Sequence, residues 1–431
     1  MSEVTNFKCP GCGAKLNFSG KTGEMTCEYC GASFDMEQVK AAEEAEKENN
    51  AGSSLSWEHI EQGAITDESG KIVAYTCPSC NAQMMATDLT AATECPYCGN
   101  QAIVKKSFEG AYKPDLVVPF AVDKNAAKSK MREFIKGKKL LPDNFAKGDR
   151  ISKITGIYVP FWLFSCHADG YVNFDAYKEK RWSDAKYDYV KKDYYSLKRS
   201  GEMDFVRIPV DAASQIDDAT MDSLEPFDTS KAVPYDAAYF SGYLADKYDV
   251  TSKDSEPRAN TRVTSTFENK MRDAVKGYDG VTMKGESVNI SGGKAEYAML
   301  PVWMMSGRFE GKTYQFAVNG QTGKMVGELP VDNGKYWKQV ILGSLVSSVA
   351  VYLIALVFGL LEGSGGVGAF ICLVVGIVIG FIRGGMLKGA MKNVHISSQA
   401  NKYVDDKSLK YGAALDRFLY TKTEKTEKSQ S

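Results

Sequence analysis

The sequence predicts a multidomain α+β chain: two small β zinc ribbons, a mixed α+β middle region with a weak internal repeat, and a C-terminal two-helix transmembrane hairpin. Three observations predict it. Eight of the ten cysteines fall in four Cys-x-x-Cys pairs. The region 102–333 mixes helical periodicity with Tyr- and Val-rich alternation. Residues 340–361 and 365–382 form two apolar runs without a charge. With 431 residues, 44% hydrophobic and 25% charged, the chain is long enough for several cores.

The first ribbon, residues 1–35, is carried by Cys9-Pro-Gly-Cys12-Gly and Cys27-Glu-Tyr-Cys30-Gly. The second, residues 70–101, is carried by Cys77-Pro-Ser-Cys80-Asn and Cys95-Pro-Tyr-Cys98-Gly. In both sets fourteen residues separate the pairs. Paired thiolates at this spacing suit a tetrahedral zinc site in which each pair forms a tight knuckle and a short hairpin joins the two. Gly13, Gly31 and Gly99 follow their knuckles and tolerate a positive φ, and Asn81 is the next-best residue for it. A cytosolic chain does not keep eight cysteines oxidised, so disulfides are set aside. Two structural Zn²⁺ ions are expected, on Cys9, Cys12, Cys27 and Cys30 and on Cys77, Cys80, Cys95 and Cys98. With four thiolates each, neither site has an open position to activate water. Residues 36–69 read as a helical and flexible linker, rich in Glu, Ala and Lys before the Gly-Ser stretch at 51–54.

In the α+β region 102–333, residues 124–136 predict a helix capped by Asp123, and 258–278 a second with Val263, Phe267 and Met271 on one face. Residues 237–248 read as a shorter third. The alternating segments 170–177, 186–197 and 281–290 read as strands. Val159-Pro160-Phe161-Trp162 resembles Leu300-Pro301-Val302-Trp303, which suggests two related β-rich halves side by side. Asn319-Gly320-Gln321-Thr322-Gly323-Lys324 lacks the spacing of a phosphate loop and reads as a hairpin turn. Cys166 and His167 are adjacent on an extended chain and point to opposite faces, so they do not make a nucleophile-base dyad. No other catalytic motif stands out, and the chain is not expected to be an enzyme.

At about 1.5 Å per residue, the apolar runs 340–361 and 365–382 each match a hydrocarbon core of about 30 Å. Lys335 and Lys338 precede the first; Arg383, Lys388 and Lys392 follow the second. The connecting loop has no basic residue, so both termini face the cytoplasm of a multi-pass cell-membrane protein. The polar opening Met1-Ser2-Glu3-Val4 does not read as a secretory signal. Gly376, Gly380 and Gly384 recur every fourth residue, a face suited to packing against the first span or against a second copy in a homo-oligomer. Residues 384–431 read as a cytosolic basic tail, disordered at its end, with Leu409, Leu415, Phe418 and Leu419 offering a short amphipathic helix.

The tandem ribbons, the Pro160-Phe161-Trp162 and Pro301-Val302-Trp303 segments, the 319–324 turn followed by Gly327-Glu328-Leu329-Pro330, and the hairpin together resemble a family of bacterial TFIIB-type zinc-ribbon membrane proteins. Its members are often labelled primosomal or replication-helicase-like. The resemblance implies association with SPFH-domain, TPM-domain and phage-shock-type membrane-stress proteins, and a scaffold role at the membrane. It carries over the eight ribbon cysteines and no catalytic residue.

The expected function is therefore a membrane-anchored adaptor that recruits protein partners to the cytoplasmic face. Nucleic-acid binding is the alternative that the ribbons suggest. Charge argues against it: residues 1–100 hold 6 Lys and Arg against 15 Asp and Glu, a balance of -9, whereas phosphate recognition needs cations. An enzyme with an unrecognised site in the middle region is the third reading.

Overall fold

The computed structural model of the chain describes residues 7, 16–20, 23–27, 33–40, 54–59, 64–65, 72–87, 94–100, 104–106, 111–146, 154–360 and 365–428. In chain order the elements used below are β1 (Ile72–Thr76), β2 (Gln83–Thr87), β3 (Val104–Lys106), α1 (Lys124–Ile135), β4 (Thr155–Ser183), β5 (Tyr187–Asp211), α2 (Asp218–Leu224), β6 (Leu244–Asp246) and α3 (Ser252–Asp273). They continue with β7 (Gly280–Phe309), β8 (Lys312–Asn319), β9 (Met325–Gly327), α4 (Asn333–Val357), α5 (Gly365–Gly389) and β10 (Lys410–Glu427).

The body is one large sheet. Its long strands run in the order β10, β5, β4, β7, each antiparallel to its neighbour. At 29 residues, β4 alone would extend roughly 95 Å if straight. Irregularities bend it, including a register shift between Phe164 and Cys166. Opposite that shift Arg207 takes a left-handed φ of 54°. Gly170 is required where β4 meets β7, because a Cβ there would lie 2.0 Å from the Ser287 carbonyl oxygen. One face of the sheet is covered by α3, whose Ala259, Val263, Phe267 and Met271 join Val172, Phe174, Leu197 and Met203 in one core. Each such buried large side chain contributes on the order of 2 kcal/mol.

The two Pro-aromatic segments are not shown as halves of a duplicated region. They lie in adjacent antiparallel strands, Tyr158 opposite Pro301 and Pro160 opposite Met299. What they share is local. Along β4 the neighbour on one side changes from β6, opposite Ile157 and Tyr158, to β5, which begins at Phe161. Along β7 the neighbour changes from Leu116–Val117, opposite Ala298 and Met299, to β8, which begins at Val302. Each proline therefore sits at a seam, where its missing N–H breaks no ladder. Its carbonyl accepts from the residue just past the incoming strand: Ala212 N–H to Pro160 at 3.0 Å, Gly320 N–H to Pro301 at 2.8 Å.

Several elements differ from expectation. Within the span read as linker, Ser54–His59 is a strand paired parallel to β7, and Trp57 Nε1 donates to Asn260 Oδ1 at 2.7 Å. Residues 237–248 hold a 3-10 turn, Ala237–Phe240, and then β6, because Gly242 at φ 84° turns the chain between them. The second long helix starts earlier, at Ser252, where the Thr251 hydroxyl accepts from Asp254 N–H at 3.1 Å, and ends at Asp273. The expected amphipathic helix and disordered end give way to β10. Its Thr, Tyr and Phe residues suit a strand, and the open edge of β5 supplies the partner that composition cannot reveal. Tyr420 stacks on Tyr194 at 4.7 Å, and Lys425 lies 3.5 Å from the Tyr187 ring centre. The Asn319–Lys324 turn does join β8 to β9 as a hairpin, and the 124–136 helix is α1, with Asp123 Oδ1 accepting from Asn125 and Ala126 N–H at 2.8 Å.

Both 25-residue helices α4 and α5 are long and apolar enough to cross a membrane, and only 17% and 22% of their apolar stretches are buried within the chain. The first starts and ends earlier than the expected run, at Asn333 and Val357, and the second starts at Gly365 as expected but continues to Gly389. Gly376, Gly380 and Gly384 of α5 face α4. A Cβ at Gly376 or Gly380 would lie 2.0 Å from the Ser348 or Ser344 hydroxyl, and one at Gly384 2.5 Å from a Val340 methyl. The pair is fixed to the sheet by a core in which Tyr336, Leu387 and Met391 meet Leu140, Leu141, Phe145, Met305 and Phe316.

The chain leaving α5 is tied down by charge. Arg262 of α3 clamps Glu225 through two bonds, of 2.8 and 2.7 Å, and donates to the Pro209 and Gln399 carbonyls. Arg258 bridges Asp211 and Asp222 at 2.8 and 2.9 Å, and Asp222 accepts from Ser397 N–H at 3.0 Å. Burial pushes the Asp211 carboxyl up to about 7 despite Arg258. Arg262 is itself buried, so removing it strips the cation from the largely buried Glu225 carboxylate. Arg262→Ala is expected to cost about 3–5 kcal/mol in denaturant unfolding. It should also open residues 395–403 to protease, while Arg272→Ala, at the exposed end of the same helix, leaves both unchanged.

Candidate metal centre

Among the described residues one group of ligating side chains converges: Cys77, Cys80, Cys95 and Cys98, whose sulfurs all lie within 4.8 Å of one another. The local chain explains why. β1 and β2 form a hairpin in which Thr76 faces Gln83, and the six residues between them make the first knuckle. Cys77 N–H donates to Ala82 O at 3.0 Å and Asn81 N–H to Cys77 O at 2.8 Å. The second knuckle repeats the pattern, Cys95 N–H to Asn100 O at 2.8 Å and Gly99 N–H to Cys95 O at 2.9 Å. Asn81 and Gly99 both have positive φ, 59° and 71°, as their positions require.

The sulfur spacing suits a metal ion held by all four thiols. Cys77 Sγ lies 3.6 Å from Cys98 Sγ, and Cys80 Sγ 3.7 Å from Cys95 Sγ. A tetrahedron with Zn–S bonds of about 2.3 Å has S–S edges of about 3.8 Å, whereas a disulfide is about 2.05 Å. The thiols fit a divalent cation electrostatically as well. Burial pushes Cys80 up to about 11 and Cys95 well above the usual thiol range. Burial also raises Cys77, but backbone N–H donors of Cys80 and Ser79 outweigh it and bring that thiol down to about 7. Cys80 and Cys95 hold their protons until a cation replaces them, while Cys77 gives its proton up near neutrality. Cys77, Cys80, Cys95 and Cys98 would hold the ion, and it would supply cross-linking of the two knuckles.

This cluster is built into the large sheet. β2 pairs with β6, Met84 opposite Asp246 and Met85 opposite Ala245. Tyr97, between the second pair of cysteines, is buried, and its hydroxyl bonds the buried Asp246 carboxylate. Burial pushes Asp246 up to about 7 and Tyr97 well above the phenol range. Gln315 Nε2 donates to Tyr97 O at 2.8 Å from the other side, and Lys247 N–H donates to Asp246 Oδ1 at 2.8 Å. The Cys-Pro-Tyr-Cys motif announces the tyrosine but not its partner. Asp246 lies 149 residues downstream of Tyr97, and only the β2–β6 pairing brings them together.

Of the first cysteine set, Cys27 is buried, and Cys9, Cys12 and Cys30 lie outside the described residues, as do Gly13 and Gly31. Strands Asn17–Ser19, Glu24–Thr26 and Ser33–Phe34 form a small sheet around Leu16, Met25, Phe34 and Val39. Thr26 faces Ser33, so six residues separate the paired positions, as between Thr76 and Gln83. The Phe34 ring meets Tyr420 of β10 edge-on at 5.4 Å. The Cys166–His167 pair diverges as the strand period requires: Cys166 is buried and pushed up to about 12 by burial, and His167 Nδ1 lies 2.6 Å from Asp204 Oδ1.

Cys80→Ser is expected to release the metal of this cluster and to expose Tyr97, read as a loss of tyrosine near-ultraviolet circular dichroism. Tyr97→Phe should keep the metal and cost about 1–3 kcal/mol, because it leaves the buried Asp246 oxygen unpartnered. Metal retention by Cys80→Ser would refute the assignment.

The chain is 31% identical over 358 residues to the uncharacterized protein YdjG of Bacillus subtilis (strain 168), an alignment that covers 83% of this chain and 99% of the relative. No family model and no solved structure matches the chain.

Proposed function

The chain belongs to the family of the Bacillus subtilis YdjG protein, and we propose that it is a membrane-anchored zinc-ribbon adaptor. In this reading α4 and α5 cross the membrane, both termini lie in the cytoplasm, and two Zn²⁺ ions stabilise the two ribbons. The ribbons recruit protein partners to the cytoplasmic face in a membrane-stress response, with SPFH-domain or phage-shock-type proteins as the class that the resemblance implies. The observation that carries it is the closed four-thiol cluster: a site with no open ligand position stabilises structure and does not turn over substrate. Two further features support it. The cluster and the apolar hairpin are fixed to the same sheet, so a partner bound at one end is held at a set distance from the other. The acidic balance of residues 1–100 favours a basic protein surface over phosphate.

The test compares intact protein with Cys27→Ser, chosen because the first ribbon has its own small core and its loss leaves the large sheet in place. Elemental analysis should find two zinc ions per chain in the first and one in the second. Proteins recovered from detergent-solubilised membranes with the intact chain should fall about tenfold or more with the variant. Recovery should weaken as salt rises. Identical recovery with both would sink the adaptor reading, and binding of nucleic acid at physiological salt by the intact chain alone would replace it.

A further inference from the structure

We infer that α1 and the turn after it form a docking platform for anionic phospholipid headgroups, set beside the apolar hairpin; the inference rests on the hairpin's crossing a membrane. Residues 124–139 carry seven cations, Lys124, Lys128, Lys130, Arg132, Lys136, Lys138 and Lys139, against the single acid Glu133. Composition alone would make this a solvated helix. The structure places it elsewhere.

Four hydrogen bonds fix its height relative to the hairpin. Asp332 N–H, one residue before α4, donates to Leu140 O at 2.9 Å. Lys335 Nζ, inside the first turn of α4, donates to Leu141 O and to Asp143 Oδ1, both at 2.7 Å. Lys138 Nζ reaches the carbonyl of Ala390, just past the end of α5. Phe134 and Ile135 turn inward and join Tyr336 and Leu387 in the core at the root of the hairpin. The turn 136–141 is thereby held against the polar ends of both apolar helices.

Trp337 marks the depth. It is 51% exposed one turn into α4, where an indole at the membrane interface belongs. Asp332 lies five residues before it, about 7–8 Å along a helix axis. The headgroup layer is about 5–8 Å thick on each side of the hydrocarbon core. A lysine side chain of about 6 Å on the 136–139 turn therefore reaches headgroup phosphates.

The charges are available for it. Lys130, Lys335 and Lys392 are engaged by Glu133, Asp143 and Glu328. Among the described residues Arg132, Lys136, Lys139, Lys338, Arg383 and Lys388 make no ion pair, and Arg132, Lys136 and Lys139 are exposed. Hairpin flanks alone would give a ring of cations around two helices. Adding α1 extends that ring into a one-sided patch, which selects a surface of negative charge rather than a single small anion.

The test uses the full chain in bilayers of phosphatidylglycerol and phosphatidylcholine, with a benzophenone amino acid replacing Lys139, Lys186 or Val375 in turn. Lys186 lies in the β4–β5 turn, at the far end of the long strands, and Val375 lies mid-way along α5. Crosslinking to lipid at 375 reports insertion, and crosslinking at 139 but not at 186 reports the platform. Separately, the unmodified chain should retain phosphatidylglycerol over phosphatidylcholine, and Arg132→Gln with Lys136→Gln and Lys139→Gln should reduce that preference about tenfold or more. Lipid at 375 but none at 139, or a preference unchanged in the triple variant, overturns this inference alone. No lipid at 375 overturns the membrane reading beneath it.

Discussion

The pairing of β4 with long neighbours on both sides is the constraint on which the rest depends. A strand of this length can be satisfied only if nearly all of its N–H and C=O groups find partners on both edges, since its middle is buried. β5 and β7 supply most of them. Where they fall short, short strands fill in, and each handover needs a residue that does not miss a donor. Pro160 and Pro301 stand at those handovers. The Trp two residues after each proline then bonds a loop carbonyl: Trp162 Nε1 to Val250 O at 2.9 Å and Trp303 Nε1 to Val122 O at 2.8 Å. The two similar segments thus play the same local part twice in a single sheet.

The same geometry decides which parts of the fold were legible. The knuckle residues Asn81 and Gly99, the Asp123 cap, the 319–324 turn and the two apolar helices depend on neighbours within a few residues, so sequence patterns reveal them. Tyr97 with Asp246, Arg262 with Glu225, and β10 on β5 depend on residues tens to hundreds of positions away. Their signals are a buried acid without local compensation and a polar strand without a visible partner. Neither leaves a local pattern. The tail is the clearest case: Lys422, Glu424 and Lys425 look solvated by composition, yet Lys422 lies opposite Lys192 and Thr421 Oγ1 donates to Asp193 at 2.5 Å in an ordered ladder.

The cluster of Cys77, Cys80, Cys95 and Cys98 differs from an isolated ribbon in what its metal would stabilise. A free-standing ribbon depends on its ion for its own fold. Here both knuckles are also sealed to the sheet, the second through Tyr97 on Asp246 and Gln315, the first through β2 on β6. Both sides of that seal are buried and polar, which makes them costly when separated. A cross-link at Cys77–Cys98 is therefore coupled to β6, and β6 pairs directly with β4.

From β4 the coupling continues without a flexible joint. Met305 and Phe316, on β7 and β8, lie in the same core as Leu387 and Met391 at the base of the hairpin, and Arg262 holds the Gln399 carbonyl beyond it. A hinge needs a segment with few buried contacts and replaceable hydrogen bonds. Neither attachment of the hairpin offers one: Leu329 N–H donates to Met391 O at 2.9 Å on one side, and Ala400 N–H to the buried Thr266 hydroxyl at 2.7 Å on the other. The orientation of the sheet is consequently set by the orientation of the two apolar helices, and a charged surface at their root, such as α1, acts on the whole body rather than on a tethered domain.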